Sequence, residues 1–428
     1  MSWLESILGG TDRFRSNFVK IASASLISQG LGLATLPLLT RLFSSEAFGV
    51  LTLYTMIQAI LMAIVTGRVD WIIPNAKSER HARNLINLGF AITSLVCIVL
   101  AVIVLFFKYS IVEFFDLPRE SIILELLPIA LIAGSIQLIL NAWFVFKGNL
   151  SAVGWSKLGQ SAITILFSVA FGFTALKLSG LVLAYIAGFI AAAAILIIKT
   201  RSAKLFSDPR KTMASFRRFP FYKNEVLASV GLSLTNIIMT TSLVILIAMF
   251  YGNTVLGWYG LVFRMATAPI GLITTGLVQS FWSDAAILAK ESPSKLRTFY
   301  ISTTRRLLIM AIPFSLIFLA GPFYIPTIFG AEEWSGAGLI LTAVTPYLFG
   351  MIVFSPTTHL IVYSKAHWQL ACDLCTLVTS MLVFAVIAEL GHSAAWAVFG
   401  SSTTMLLGYL IRFNLHLVAN KNLSGVKN

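Results

Sequence analysis

Between Glu225 and Asp284 the chain runs for 58 residues with a single Asp, Glu, Lys or Arg among them, Arg264. A soluble fold cannot use such a stretch, because its elements would have no polar face to turn toward water. A helical membrane crossing needs about 20 apolar residues, so the stretch is long enough for two crossings. The pattern is general. Charged residues make up 11% of the 428 residues, against about 25% in an average soluble domain. Apolar runs alternate with short charged or turn-rich breaks, and we place spans at 17–41, 47–68, 84–107, 121–146, 154–177, 179–199, 224–250, 254–283, 303–328, 336–363, 366–389 and 392–415. The fold class is an all-α polytopic membrane protein of about twelve helices, with almost nothing left for a soluble domain. Most runs are apolar all round, so run length rather than amphipathic period carries these assignments.

Lysine and arginine placement sets the expected direction. With the N-terminus in the cytoplasm, 26 of the 31 basic residues fall inside and four outside, and Arg264 lies within a span. The 199–223 segment alone holds eight of them. Both termini are therefore expected in the cytoplasm. The net charge of +14 is spread over loops that face anionic lipid headgroups, which makes membrane lipids the expected partner and nucleic acid not one. The N-terminus lacks the charged, apolar and small-residue succession of a cleaved signal, so the first span is expected to double as an uncleaved one. Cys97, Cys372 and Cys375 all lie in apolar stretches and read as packing residues rather than a disulfide or redox framework.

The basic 201–223 segment divides the chain into an N-terminal lobe, 1–200, and a C-terminal lobe, 224–428, of six spans each. Sliding the first half by 208 residues aligns "LFSSEAFGVLTL" with "FYGNTVLGWYGL" and matches Ser25 with Ser233, Leu38 with Leu246 and Gly49 with Gly257. Repeats with an even number of spans are parallel, related by an axis along the membrane normal. Arg264 corresponds to Met56 at this offset, so the charge departs from the repeat.

"PLLTRLFSSEAFGVLTLY" (37–54) resembles the sequence that closes the first span of bacterial Wzx-type polysaccharide flippases, with Ser45 and Ala47 departing from it. "TGRVDWIIPNAKS" (66–78) is similar to that family's T-G-R stretch, "RRFPFY" (217–222) to its entry to span 7, and "GWYGLVFRMATAPIGLI" (257–273) to its span 8. The family belongs to the multidrug/oligosaccharidyl-lipid/polysaccharide (MOP) exporter superfamily. The resemblance implies two six-helix lobes in a V around a central cavity, in the bacterial inner membrane. It implies turning an undecaprenyl-pyrophosphate-linked oligosaccharide from the cytoplasmic to the periplasmic leaflet by alternating access, in the building of a surface polysaccharide such as O-antigen. It leaves room for a polymerase or chain-length complex as a partner.

An arginine at the centre of a span costs about 2.5–3.5 kcal/mol on insertion scales. Arg264 lies roughly 15 Å into its span, too deep to reach the periplasmic surface easily. Water, a buried acid, carbonyls or an anionic ligand must solvate it, and a guanidinium fork suits pyrophosphate. The competing reading is a packing arginine paired to a carboxylate. Arg68, beside Asp70 at the inner end of span 2, fits either an interfacial anchor pair or a gate contact for pyrophosphate. Gln29, Gln58, Asn236 and Gln279, on spans 1, 2, 7 and 8, fit either a sugar-wetted cavity or interhelical hydrogen bonds. Prolines 37, 269, 313, 326, 346 and 356 mark kinks or breaks. A cation-coupled multidrug exporter is the alternative, with Glu225 and Asp373 as a coupling-ion site. A membrane polymerase or ligase is a further one. The sequence holds no H-E-x-x-H, Walker motif or paired D-x-D, and no catalytic residue, metal or cofactor is expected.

Overall fold

The computed structural model describes residues 12–114, 123–174, 176, 178–200, 219–291, 293–330, 332–355, 357 and 366–425. The first eighteen residues of the basic linker (201–218) and Pro356 lie outside the described residues. The chain separates between Thr241 and Ser242 into two compact units.

The first unit contains α1 (Asp12–Leu42), α2 (Ser45–Val65), the short α3 (Val69–Ile72), α4 (Glu79–Phe114), α5 (Leu127–Phe146), α6 (Leu150–Gly172) and α7 (Gly180–Thr200). It also takes the opening part of α8 (Phe219–Glu291). The Ser44 side chain caps α2, its Oγ accepting from the Ala47 N–H at 3.3 Å. That fixes the tight turn between α1 and α2, since one of the free N–H groups of the new helix is satisfied at once. The interior is built from Ile73, Leu85, Ile86, Ile139, Leu140, Trp143 and Leu196, and Val226 of α8 is buried among them. Val226 lies in the part of α8 that follows the basic 201–223 segment.

In the second unit, α8 continues past Gly252, whose φ of 76° and ψ of −176° break the helical path. Only glycine occupies that backbone region readily, so "FYGNTVLG" makes the turn that its composition suggests. There follow α9 (Pro293–Leu319), α10 (Gly321–Phe329), α11 (Ser335–Val353), α12 (Ala366–Glu389) and α13 (Ala394–Gly425). Tyr300 of α9 stacks on His416 of α13 at 3.9 Å between ring centroids, and Phe281, Leu296 and Ala419 are buried with it.

Among the described residues, nine helices are long and apolar enough to cross a membrane. The other expected spans are α1, α6 and the opening of α8. Polar residues lower their hydropathy: Ser23, Ser25, Ser28 and Gln29 on α1, and Ser156, Lys157, Gln160, Ser161 and Thr164 on α6. Elsewhere the pattern is inverted relative to a soluble protein, with Leu105, Phe106 and Phe107 of α4 turned outward. With lipid outside, helix association depends on close packing rather than on exclusion of water, and small residues permit it. A Cβ placed on Gly338 of α11 would stand 2.7 Å from the Pro322 Cα and 3.0 Å from the Gly321 carbonyl oxygen, backbone atoms that cannot rotate away. Gly30 of α1 has nothing within 4 Å of the same atom.

Gly338→Ala should therefore destabilise the purified protein by about 1–3 kcal/mol, whereas Gly30→Ala should leave it unchanged or slightly more stable. Thermal unfolding in detergent measures both. Equal melting of the two variants would mean that the α10–α11 contact is not a tight one.

Candidate functional site

The T-G-R motif builds a turn whose geometry follows from its own residues. Helix α2 ends at Val65, and Gly67 and Arg68 then take positive φ values of 57° and 54°. Arg68 is the one non-glycine residue with positive φ among the described residues, a conformation costing about 1–2 kcal/mol for a residue with a Cβ. Several contacts offset this. The Arg68 N–H donates to Thr66 Oγ1 at 3.2 Å, and Thr66 Oγ1 donates to Asp70 Oδ1 at 2.9 Å. The guanidinium lies 3.8 Å from Asp70 Oδ2 and stacks 4.3 Å above the Trp71 ring. Thr93 of α4 donates to the Val65 carbonyl at 3.1 Å, which satisfies one orphan acceptor at the helix end. The φ of Gly67 favours glycine there, and a Cβ would in addition meet Ile92 Cδ1 at 2.7 Å, the end of a side chain that would have to rotate away. Arg68 thus braces its own turn, and an incoming anion would have to compete with Asp70 for it.

The opening of α8 docks beside this turn. Tyr222 stacks on His81 at 5.7 Å, and Val226 lies over Gly67. Glu225 is exposed on the same helix. The side chains of Asn236 and Gln279 lie outside the described residues. Gln58 of α2 is 2% exposed, with both amide atoms buried and without a hydrogen-bond partner, as is the hydroxyl of Tyr54 one turn earlier. Gln29 of α1 is half-buried, with its Oε1 unpartnered.

Two groups escaped the reading of the sequence. Gln137 of α5 donates to Gln160 of α6 at 2.8 Å, and Lys157 of α6 donates to Ser25 of α1 at 3.2 Å. Lys157 stands close to the end of an apolar run, so a count of loop charges assigns it to the connection.

In the second unit Arg264 lies twelve residues beyond Gly252, roughly 18 Å along the helix. It is half-buried and has an interaction within the chain. Val262 and Ala266 on either side of it are fully buried, and Tyr259 stacks on Phe263 at 5.6 Å. Asp373 of α12 forms an ion pair with Arg412 of α13, each side chain 14% exposed. Arg412 also lies 5.1 Å from the centre of the Tyr409 ring. Its signal in the sequence is an arginine inside the last apolar run, 392–415. Cys372 and Cys375 are free thiols on α12 that line a groove of about 540 Å³ against α13, with Trp368, Thr376, Thr404 and Leu407. That lining has no charge for an ionic headgroup.

A family model described as "Polysaccharide biosynthesis protein" matches residues 14–280. Comparison by sequence with curated proteins found no match. Among solved structures, an inward-facing multidrug resistance MATE family transporter of the MOP superfamily has a TM-score of 0.68 at 13% identity, over 95% of this chain and 96% of its own. The lipid II flippase MurJ in an inward closed conformation also scores 0.68, at 14% identity over 95% and 90%. A MOP superfamily transporter from Pyrococcus furiosus scores 0.53 at 14% identity, over 99% and 98%. The two-lobed fold of this superfamily is therefore the fold of this chain.

The Arg68 turn makes a coupling that can be measured. Asp70→Ala should destabilise the protein by more than the Arg68→Met, Asp70→Ala double variant does, with a coupling of about 1 kcal/mol or more. Simple additivity in detergent unfolding would show that the guanidinium does not depend on Asp70.

Proposed function

The chain belongs to the polysaccharide biosynthesis protein family, and on that premise we propose that it is a flippase for an undecaprenyl-pyrophosphate-linked oligosaccharide. It carries the substrate from the cytoplasmic to the periplasmic leaflet of a bacterial inner membrane by alternating access of its two lobes, for assembly of a surface polysaccharide such as O-antigen. The observation that carries this reading is Arg264, a cation deep in a helix within the matched region. One of the proteins sharing the fold is by its name a lipid II flippase, which supports a lipid-linked substrate.

Export of cationic drugs has less support. A cationic substrate needs carboxylates in its path, whereas Asp373 is paired with Arg412 and Glu225 is exposed. The same positive bias suits a diphosphate. Two negative charges moving outward gain roughly 4.6 kcal/mol per 100 mV of membrane potential, since each is worth about 2.3. Charge neutralised by Arg264 in transit would lessen that gain. Both termini and the 201–218 segment lie on the cytoplasmic side in this reading.

Flippase-deletion strains, each blocked in a different surface glycan, test the function: the chain should restore one of them. In that strain Arg264→Ala should lower export about ten- to a hundredfold and Arg264→Lys less, on the scale of one charge-assisted hydrogen bond. Full glycan from the alanine variant at native expression would remove Arg264 from the substrate's path. A single cysteine at Ser207, in a background lacking the three native ones, should resist impermeant thiol reagents added from the periplasm. Ready labelling would reverse the orientation.

A further inference from the structure

Lys157 is a half-buried cation of the first unit that the functional reading leaves unused. It lies seven residues past the start of α6, roughly 10 Å along the helix. Its neighbours on α6 set its direction. Ser156 donates to the Ala192 carbonyl of α7, and Gly159 faces Ile195 of α7. Farther along, Gly172 packs on Leu42 of α1, and residues 157, 161, 165, 168 and 172 share that face. Lys157 therefore points to α1, where its ammonium donates to Ser25 Oγ.

The ammonium is half-buried, and among the described residues no carboxylate stands within ion-pair distance of it. Four other cations of this unit have carboxylate partners, Arg68 with Asp70, Arg83 and Lys147 with Glu79, and Lys108 with Glu125, while Arg41, Lys77, Arg80, Lys199 and Lys223 are exposed. One hydroxyl satisfies one of three N–H donors and none of the charge. Along the same α1 face, the Ser28 hydroxyl and the Gln29 carbonyl oxygen are shielded and unpartnered. These belong to the two helices, α1 and α6, whose polarity keeps them below the hydropathy of an ordinary span. A cation and two hydroxyls on one seam suit an anion with several acceptor oxygens, whereas the Gln29 carbonyl oxygen beside them calls for a donor.

We propose that Lys157, with Ser25 and Ser28, is a diphosphate-binding point of the first unit, additional to Arg264. Its ligand rests on the flippase reading, and in the orientation of that reading the point lies in the cytoplasmic half of the membrane, where the substrate is loaded. Each phosphate offers oxygens to the ammonium and to the hydroxyl donors, while the lipid tail remains among the apolar faces. The sequence repeats the lysine: Trp155-Ser156-Lys157 corresponds at the 208-residue offset to Tyr363-Ser364-Lys365. Each half thus carries an aromatic–Ser–Lys triplet near its fifth span.

Binding to the purified full-length protein tests the point, with three probes: undecaprenyl pyrophosphate, inorganic pyrophosphate, and phosphatidylglycerol as a headgroup control. Lys157→Met should weaken both pyrophosphate probes about tenfold, Lys157→Arg should recover most of it, and Ser25→Ala should weaken both a few-fold. Phosphatidylglycerol binding should not change. Loss for undecaprenyl pyrophosphate alone would still support the site and make the lipid-linked diphosphate its ligand. Three outcomes overturn the proposal: unchanged pyrophosphate affinity in Lys157→Met, loss confined to phosphatidylglycerol, or loss in Lys157→Met and Lys157→Arg alike with lowered thermal stability. Because Arg264 is intact in every variant, those outcomes leave the flippase reading standing. A wild-type protein that binds neither pyrophosphate probe and restores no deletion strain would remove both.

Discussion

Inside a bilayer no water is available to a backbone N–H, a hydroxyl or a charge, and the whole architecture answers to that shortage. Helices satisfy the backbone within each segment. Hydroxyls are satisfied one turn back: Thr52 donates to the Phe48 carbonyl at 2.7 Å, Thr345 to Leu341 at 2.9 Å and Thr404 to Gly400 at 2.9 Å. Such bonds let threonine occupy an apolar helix without an interhelical partner. Charges have no local solution of this kind, so each must be braced by an opposite charge, kept at an end, or placed where a ligand or water reaches it.

Guanidinium groups brace the interior in two places by the same combination. Arg68 is paired with Asp70 and stacked on Trp71; Arg412 is paired with Asp373 and stacked on Tyr409. A planar cation can meet a carboxylate at its edge and an aromatic ring at its face, which an ammonium cannot do as well. Around Arg68 the brace also maintains a backbone conformation that arginine would not adopt alone, and the opening of α8 is seated beside the result through Val226 and Tyr222.

The order of helices and the turn at Gly252 were legible because run length and glycine placement are local properties. The docking of Val226 into the first unit was not. The opening of α8 carries no mark in its own sequence of which neighbour it will choose. The Asp373–Arg412 pair was hidden for a different reason: its members are 39 positions apart in the sequence, on separate helices, and a count by loop treats a charge near a run's end as solvated. Gln58 shows the limit of reading polarity as exposure. Its amide was read as a residue for either a wet cavity or a hydrogen bond, and it is buried with neither partner visible among the described residues. A residue type fixes what a side chain needs, and only the fold determines what stands next to it.

This distinction orders the cations of the first unit by what they are able to do. A charge already matched by a carboxylate gains little from a second anion, because the new pairing must first loosen the old one. Arg68, Arg83, Lys147 and Lys108 are in that position. Lys157 is held by a hydroxyl that neutralises nothing, so an approaching diphosphate displaces no ion pair there and meets a field not already cancelled nearby. The same reasoning explains why such a residue sits on the more polar helices. On a fully apolar span its desolvation would be unrelieved, whereas Ser25, Ser28 and Gln29 place polar groups along the same seam without supplying a counter-charge. Polarity that is a defect for crossing a membrane becomes, on α1 and α6, what makes a path through it.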